Sequence, residues 1–227
     1  MYVGGILGRN EGNKGKIEKC YNTGNISCFY ESSKTYGGIV GTGNIPVDQC
    51  YNIGTIKSVS ENTELGGIAG VANKSITNSY NLGKLEVEGN RSLAVGGIVG
   101  RVSSSEASLE NCYNVGEIKY EENISSSYIG GICGEGRNIK NVYSIGKLEN
   151  TLNDSMIGAV IGNIGQSAEN LYYLKGVYST ALGNTSTSIT AEEIETLEKM
   201  KAKLNNNLAT LEGWKEVNNG YPILSWQ

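Results

Sequence analysis

"CYNTG" (residues 20–24) returns as "CYNIG" (50–54) and "CYNVG" (112–116), with "SYNLG" (79–83) between them. A motif that holds a ligand need occur only once. A motif that recurs at a steady interval is architecture. The tyrosines Tyr21, Tyr51, Tyr80, Tyr113, Tyr143 and Tyr172 are spaced by 30, 29, 33, 30 and 29 residues. A second motif keeps step: Gly4-Gly5-Ile6, Gly37-Gly38-Ile39, Gly66-Gly67-Ile68, Gly96-Gly97-Ile98 and Gly130-Gly131-Ile132, then the weaker Gly158-Ala159-Val160. Self-similarity near 30 residues is the signature of a solenoid.

The runs between motifs are short, rich in Ile, Val and Tyr, and broken by Gly and Asn. They read as strands and turns, not as helices. Each unit reads as a Gly-Gly-Ile strand, a polar turn, a strand through Tyr, an Asn-x-Gly corner and a short strand with Ile or Leu. That is two or three strands per turn. Identical turns stacked on an axis pair each strand with its own copy, roughly 4.8 Å away. The expected fold is therefore all-β: a parallel β-helix of about six coils over residues 1–178, right-handed by crossover chirality.

Columns then assign faces. Ile17, Val47, Ile76, Leu109, Ile139 and Ala168 form one apolar column, and Ile26, Ile56, Leu85, Ile118 and Leu148 another. Both are expected to point inward. Cys20, Cys50, Ser79, Cys112, Val142 and Leu171 are small and also suit the interior. The adjacent tyrosines should then stack along the outside. Asn22, Asn52, Asn81 and Asn114 can pass hydrogen bonds from coil to coil through their amides. Gly24, Gly54, Gly83, Gly116 and Gly146 are expected to supply a left-handed corner.

Composition changes after about Ser179. Thr190-Ala191-Glu192-Glu193 has the form of a capping box. Ile194, Leu197, Met200 and Leu204 follow at helical spacing, which predicts an amphipathic helix over roughly 191–206. Residues 179–227 are read as a cap on the open end of the last coil, with Trp214, Tyr221, Ile223, Leu224 and Trp226 filling the cover. An alternative makes 180–227 a small separate module.

Composition excludes several functions. The chain has 227 residues, a net charge of −4 and no His. A Ser-His-Asp triad, a Cys-His pair and a His-ligated metal are impossible within it. Asp occurs only at 48 and 154, too few for a stacked calcium array. The charge balance points to neither nucleic acid nor a membrane surface, and no apolar run reaches the ~20 residues of a membrane span. The chain opens inside a repeat, which suggests a piece of a longer protein.

The remaining chemistry-bearing residues have bland readings. Cys20 and Cys50, in adjacent coils, are close enough to bond, but reduced core cysteines fit the column better. Cys133 shares a small apolar column with Leu7, Val40, Ala69 and Val99. Cys28 starts a loop. Glu18, Asp48, Glu110 and Glu169 share a column interrupted by Thr77 and Lys140, and read as solvated surface. Glu121-Glu122 read as a loop pair. Arg9, Arg101 and Arg137 each follow a Gly-Gly strand and could meet an anionic glycan, though such charges more often discourage edge association.

"GGIxG" followed by "YNxG" at this period resembles the GLUG-type repeats of bacterial surface and secreted proteins, over roughly Tyr2 to Tyr178. Gly158–Leu174 depart from the pattern. The ending Asn218-Asn219-Gly220-Tyr221-Pro222-Ile223-Leu224-Ser225-Trp226 is similar to tails that follow such repeats. The resemblance implies an extracellular or cell-surface location, a non-catalytic stalk or adhesin-like role, and a host or cell-surface protein or glycan as partner. It implies no cofactor. A carbohydrate-binding or polysaccharide-processing β-helix is the alternative, for which Phe29, Tyr30 and Tyr36 should form an open aromatic cluster. An unpaired first strand at Tyr2 beside Ile6 and Ile17 suggests weak self-association through the N-terminal coil.

Overall fold

The computed structural model describes residues 1–29, 34–88, 93–120, 127–149, 156–185, 189–206, 214–215 and 220–227. Tyr30, Arg91, Glu121, Glu122, Asp154, Asn218 and Asn219 lie outside the described residues.

The chain winds into an all-β parallel solenoid of about five turns, with one short helix near the C-terminus. One coil illustrates the rest. Thr63–Gly66 lies in sheet A and Ala69–Ala72 in sheet B. Ile76–Thr77 and Tyr80–Asn81 lie in sheet C, and Leu85–Val87 in sheet D. Each pairs in parallel with its copies above and below. The coil thus contributes to four sheets, more than the two or three strands expected. The motif corners are tighter than a sequence pattern reveals: Gly67 and Ile68 alone separate the sheet A strand from the sheet B strand. Sheet A has six strands, hence five intervals, one turn fewer than expected.

The interior is a set of aliphatic ladders. Val47, Ile76, Leu109 and Ile139 stack in one, and Ile56, Leu85, Ile118 and Leu148 in another; all are buried. Full burial of such a side chain stabilises by roughly 1.5–3 kcal/mol, so repetition accumulates stability linearly along the axis. Cys50, Ser79, Cys112 and Val142 are also fully buried.

Core cysteine and outward tyrosine are consecutive, and a corner lies beside them. The residue before the Cys column has positive φ in every coil: Lys19 (54°), Gln49 (52°), Asn78 (48°), Asn111 (52°), Asn141 (54°) and Asn170 (55°). Asparagine is among the residues that tolerate this left-handed region best, which accounts for the run of Asn from 78 onward. The expectation that Gly24, Gly54, Gly83, Gly116 and Gly146 turn the chain this way is corrected: none has positive φ. They are glycine because of close stacking. A Cβ on Gly54 would lie 2.0 Å from the Gly24 carbonyl oxygen, and one on Gly83 2.1 Å from that of Gly54.

The C-terminal segment departs further from expectation. Leu182–Thr185 and Glu192–Ile194 do not begin a helix; they add parallel rungs to Ile161–Ile164 and Tyr172–Leu174. The helix spans Leu197–Asn206, and its first turn is capped by Thr196, whose Oγ1 accepts the Lys199 amide at 3.3 Å. Thr190 is therefore not the cap, because strand pairing claims the residues that follow it. The helix and the Trp214–Lys215/Ile223–Leu224 hairpin do not plug the open end. They pack along the flank of sheet C.

Candidate functional site

Three arrangements concentrate the polar and aromatic residues of the chain. The first lies beside sheet C. Asn22 donates to Asn52 at 2.7 Å, Asn52 to Asn81 at 2.8 Å, and Asn81 to Asn114 at 2.8 Å. Each amide also donates to the carbonyl two residues on, at Gly24, Gly54, Gly83 and Gly116. Asn81 shows the full arrangement: two donations, one acceptance from Asn52, and one from the Gly83 amide at 3.1 Å. Every hydrogen-bonding capacity of a primary amide is used, which is what allows Asn52, Asn81 and Asn114 to be buried.

The amides fit because the second glycine of each Gly-Gly pair faces them. A Cβ on Gly38, Gly67 or Gly97 would come within 2.6, 2.4 or 2.3 Å of Asn52, Asn81 or Asn114. The two motifs of the repeat are halves of one contact. This also explains the last coil: Ala159 takes the glycine position where the amide column has become Tyr173. At the intervening Ser144 the ladder stops, and the hydroxyl has no hydrogen-bond partner.

The second arrangement is the tyrosine stack. Tyr21, Tyr51, Tyr80, Tyr113 and Tyr143 lie ring over ring, with centroids 4.9–5.1 Å apart and interplanar angles of 9° or less. They point away from the solenoid core, but only Tyr21 is largely exposed; Tyr51 is half-buried. Exposure falls from 56% at Tyr21 to 0% at Tyr113 and Tyr143. The cause is the C-terminal segment, which covers the stack with Ile194, Met200, Leu204, Trp214 and Leu224. Trp214 tilts against Tyr113 and Tyr143, Tyr221 against Tyr113, and Trp226 against Tyr80. Tyr113 donates its hydroxyl to Gln227 at 3.0 Å, Tyr143 donates to the Pro222 carbonyl, and the Trp226 indole donates to the Asn78 carbonyl at 3.0 Å. Burial pushes the Tyr80 hydroxyl up to about 12 and that of Tyr113 higher still, and holds Tyr143 well above the ordinary phenol range.

The third arrangement is a cleft of about 480 Å3 in the re-entrant angle between the outward faces of sheets A and B. Thr35, Glu64 and Ala94 line one wall and Thr42, Val71 and Arg101 the other. Thr35 donates to Glu64 at 3.1 Å. Arg101 Nε lies 3.0 Å from Glu135 and 3.5 Å from Glu64. At the mouth the Arg9 guanidinium lies 4.6 Å from the centre of the Tyr2 ring.

The structure separates the other sequence candidates. Glu18, Asp48, Glu110 and Glu169 do share one column, but each is occupied locally or kept apart. Glu18 pairs with Lys16 and Glu169 with Lys140. Asp48 accepts from Thr77 and Asn78, and Glu110 sits in register between Thr77 and Lys140. Arg9 and Arg101 share the outward column of sheet B; Arg137 lies beyond that strand. Tyr36 is not part of an open aromatic cluster: it is fully buried and bonds Ser60, while Phe29 is exposed. Cys20, Cys50, Cys112 and Cys133 are free thiols, and burial raises Cys50 to about 11 and Cys112 and Cys133 further. Among the described residues no His, Cys, Asp or Glu cluster could hold a metal ion. Glu64 and Glu135 were missed in the sequence. The available signal was their register: Glu64 sits on an outward position of sheet A, and Glu135 follows Arg101 in the outward column of sheet B.

Residues 1–27, which hold the first Gly-Gly-Ile and Tyr-Asn motifs, match the family model described as the GLUG motif. No curated protein matches the chain. A crystal structure from Bacteroides ovatus, provisionally named an immunoglobulin A1 protease, is similar in fold. It is 19% identical, with a TM-score of 0.56, over 90% of this chain and 75% of that one. At that identity the likeness shows the fold alone.

Proposed function

We propose that the chain is a non-catalytic repeat module of an exported, surface-associated bacterial protein, serving as a stiff spacer or adhesin-like interaction element. The observation that carries this reading is the amide ladder. The most repeated polar residues, from Asn22 to Asn114, spend their hydrogen bonds on each other and on the backbone, so the motif that defines the repeat builds an axis and leaves little for chemistry. Several carboxylates outside it are engaged in cross-coil pairs, such as Lys57–Glu88 at 2.5 Å and Lys84–Glu117 at 3.1 Å. The GLUG-motif match at 1–27 and the fold of the Bacteroides ovatus protein support the surface assignment.

Self-association through the first coil belongs to the same reading, because Ile6, Tyr21 and Phe29 are exposed there. Ile6→Glu is expected to shift sedimentation toward monomer.

The test is direct. The purified chain is incubated with peptide, immunoglobulin and polysaccharide substrates, with and without divalent cations, and its shape is measured by small-angle scattering. An inert rod that lengthens when two copies are fused in register supports the spacer. Turnover abolished by a single Glu→Gln substitution overturns it.

A further inference from the structure

We infer that the cleft between sheets A and B is a binding site for a neutral oligosaccharide. The cleft exists because four side chains at its floor are small. In the second, third and fourth coils the outward columns carry the small Thr35, Ala94, Thr42 and Val71, while the longer Glu64 and Arg101 in the same columns pair across the angle. In the coils beyond, the equivalent positions carry Tyr128 and Met156 in sheet A and Glu135 and Asn163 in sheet B, and none of these lines the cleft. The space is therefore local to a few coils of an otherwise regular rod. Its volume of about 480 Å3 lies within the roughly 300–1,000 Å3 typical of small-molecule sites.

Chemistry selects the ligand. An anion finds its counter-charge spent, since Arg101 sits between Glu64 and Glu135. A cation finds no net negative charge, since Arg101 and the lining Lys34 together balance Glu64 and Glu135. An apolar ligand would strand the threonine, asparagine and serine groups of the lining. An extended peptide binds sheets by adding a strand to an edge, whereas both walls here are sheet faces that present side chains and no free backbone. What remains is a ligand with many donors and acceptors and no net charge. The site has unspent capacity for it. Arg101 Nε approaches its carboxylates without hydrogen-bond alignment, and the Thr42 hydroxyl has no partner. The planar guanidinium and carboxylate can take adjacent hydroxyls as two-pronged partners, and the Tyr2 ring offers an apolar face at the mouth.

The test uses the full chain on an array of neutral and acidic oligosaccharides and unrelated peptides. Soluble forms of any hits are then titrated by NMR. Binding of neutral saccharides is expected, with resonance shifts at Thr42, Glu64 and Arg101. Arg101→Ala and Glu64→Gln should each weaken it about tenfold or more, the cost of losing a charged hydrogen bond. Thr42→Val keeps the shape and charges of the site; it should weaken binding several-fold, and it decides the matter if Arg101→Ala does not fold. Glu110→Gln, on another face, should leave binding unchanged. Absence of neutral-saccharide binding overturns the assignment. So does selective binding of acidic saccharides or peptides, or saccharide binding insensitive to both Arg101→Ala and Thr42→Val.

Discussion

Asn81 donates a hydrogen bond of 2.8 Å to Asn114, one coil away in space and 33 residues away in sequence. Removing that amide strands the Asn52 donor on one side and the Asn114 acceptor on the other, and takes a donor from the Gly83 carbonyl beside it. Each orphaned buried group costs about 1–3 kcal/mol. Asn81→Ala is therefore expected to destabilise by about 3 kcal/mol or more in chemical denaturation. Asn22→Ala, at the partly exposed end of the ladder, should cost about 1 kcal/mol. The reverse ranking would mean that the ladder is not what holds the coils in register.

The corner glycines should be intolerant for a steric reason. Gly83→Ala puts a Cβ 2.1 Å from the Gly54 carbonyl oxygen, which backbone on both sides must move to relieve. A loss of several kcal/mol is expected, beyond the range of ordinary surface changes. Gly12→Ala, where the nearest atom is the Asn10 side chain at 3.9 Å, should leave the melting temperature within a degree or two. Equal tolerance at both sites would count against the tight stacking of coils.

The tail protects the tyrosine stack, so its removal should be visible optically. A chain ending at Asn206 is expected to expose Tyr80, Tyr113 and Tyr143, to bind hydrophobic dyes, and to melt earlier. Trp214→Ala, which removes a buried ring lying against Tyr113 and Tyr143, should by itself cost about 3–5 kcal/mol. Unchanged dye binding after truncation would show that the segment does not cover the stack.

Alkali should unfold the protein through the same stack. The Tyr80 hydroxyl is raised to about 12, chiefly by burial, against about 10 in an unfolded chain. The unfolded state therefore loses its proton first as pH rises. The stabilisation is complete below pH ~10 and is lost as pH climbs through about 12. Ultraviolet titration is expected to show the covered tyrosines Tyr80, Tyr113 and Tyr143 ionising together with unfolding, above pH ~10. One smooth transition near 10 for all of them would refute the burial.

Much of this architecture is legible in one sequence because a solenoid repeats its constraints. A column such as Val47, Ile76, Leu109 and Ile139 states its inward direction four times over. Recurrence of Gly-Gly and Asn at a fixed offset marks both as structural. Which atoms made them so was not legible: Gly38 opposes Asn52 only after the coil closes, and the left-handed turn fell on the variable residue before Cys, the least conspicuous position in the motif.

The sequence by itself determined the repeat, the parallel stacking, the aliphatic core and the outward tyrosines, because each depends on relations between residues one period apart. The tertiary structure alone decided where the non-repeating tail goes. Trp214, Tyr221 and Trp226 have no register, so their pattern states that they need burial without saying against what. The open coil end and the tyrosine flank were both apolar surfaces available to them. The flank received them because five stacked rings offer a long apolar strip edged by hydroxyls and carbonyls that can accept or donate to Gln227, Pro222 and Trp226. The cleft, likewise, follows from the angle between two sheets and from small residues in successive coils. That conjunction exists only in three dimensions.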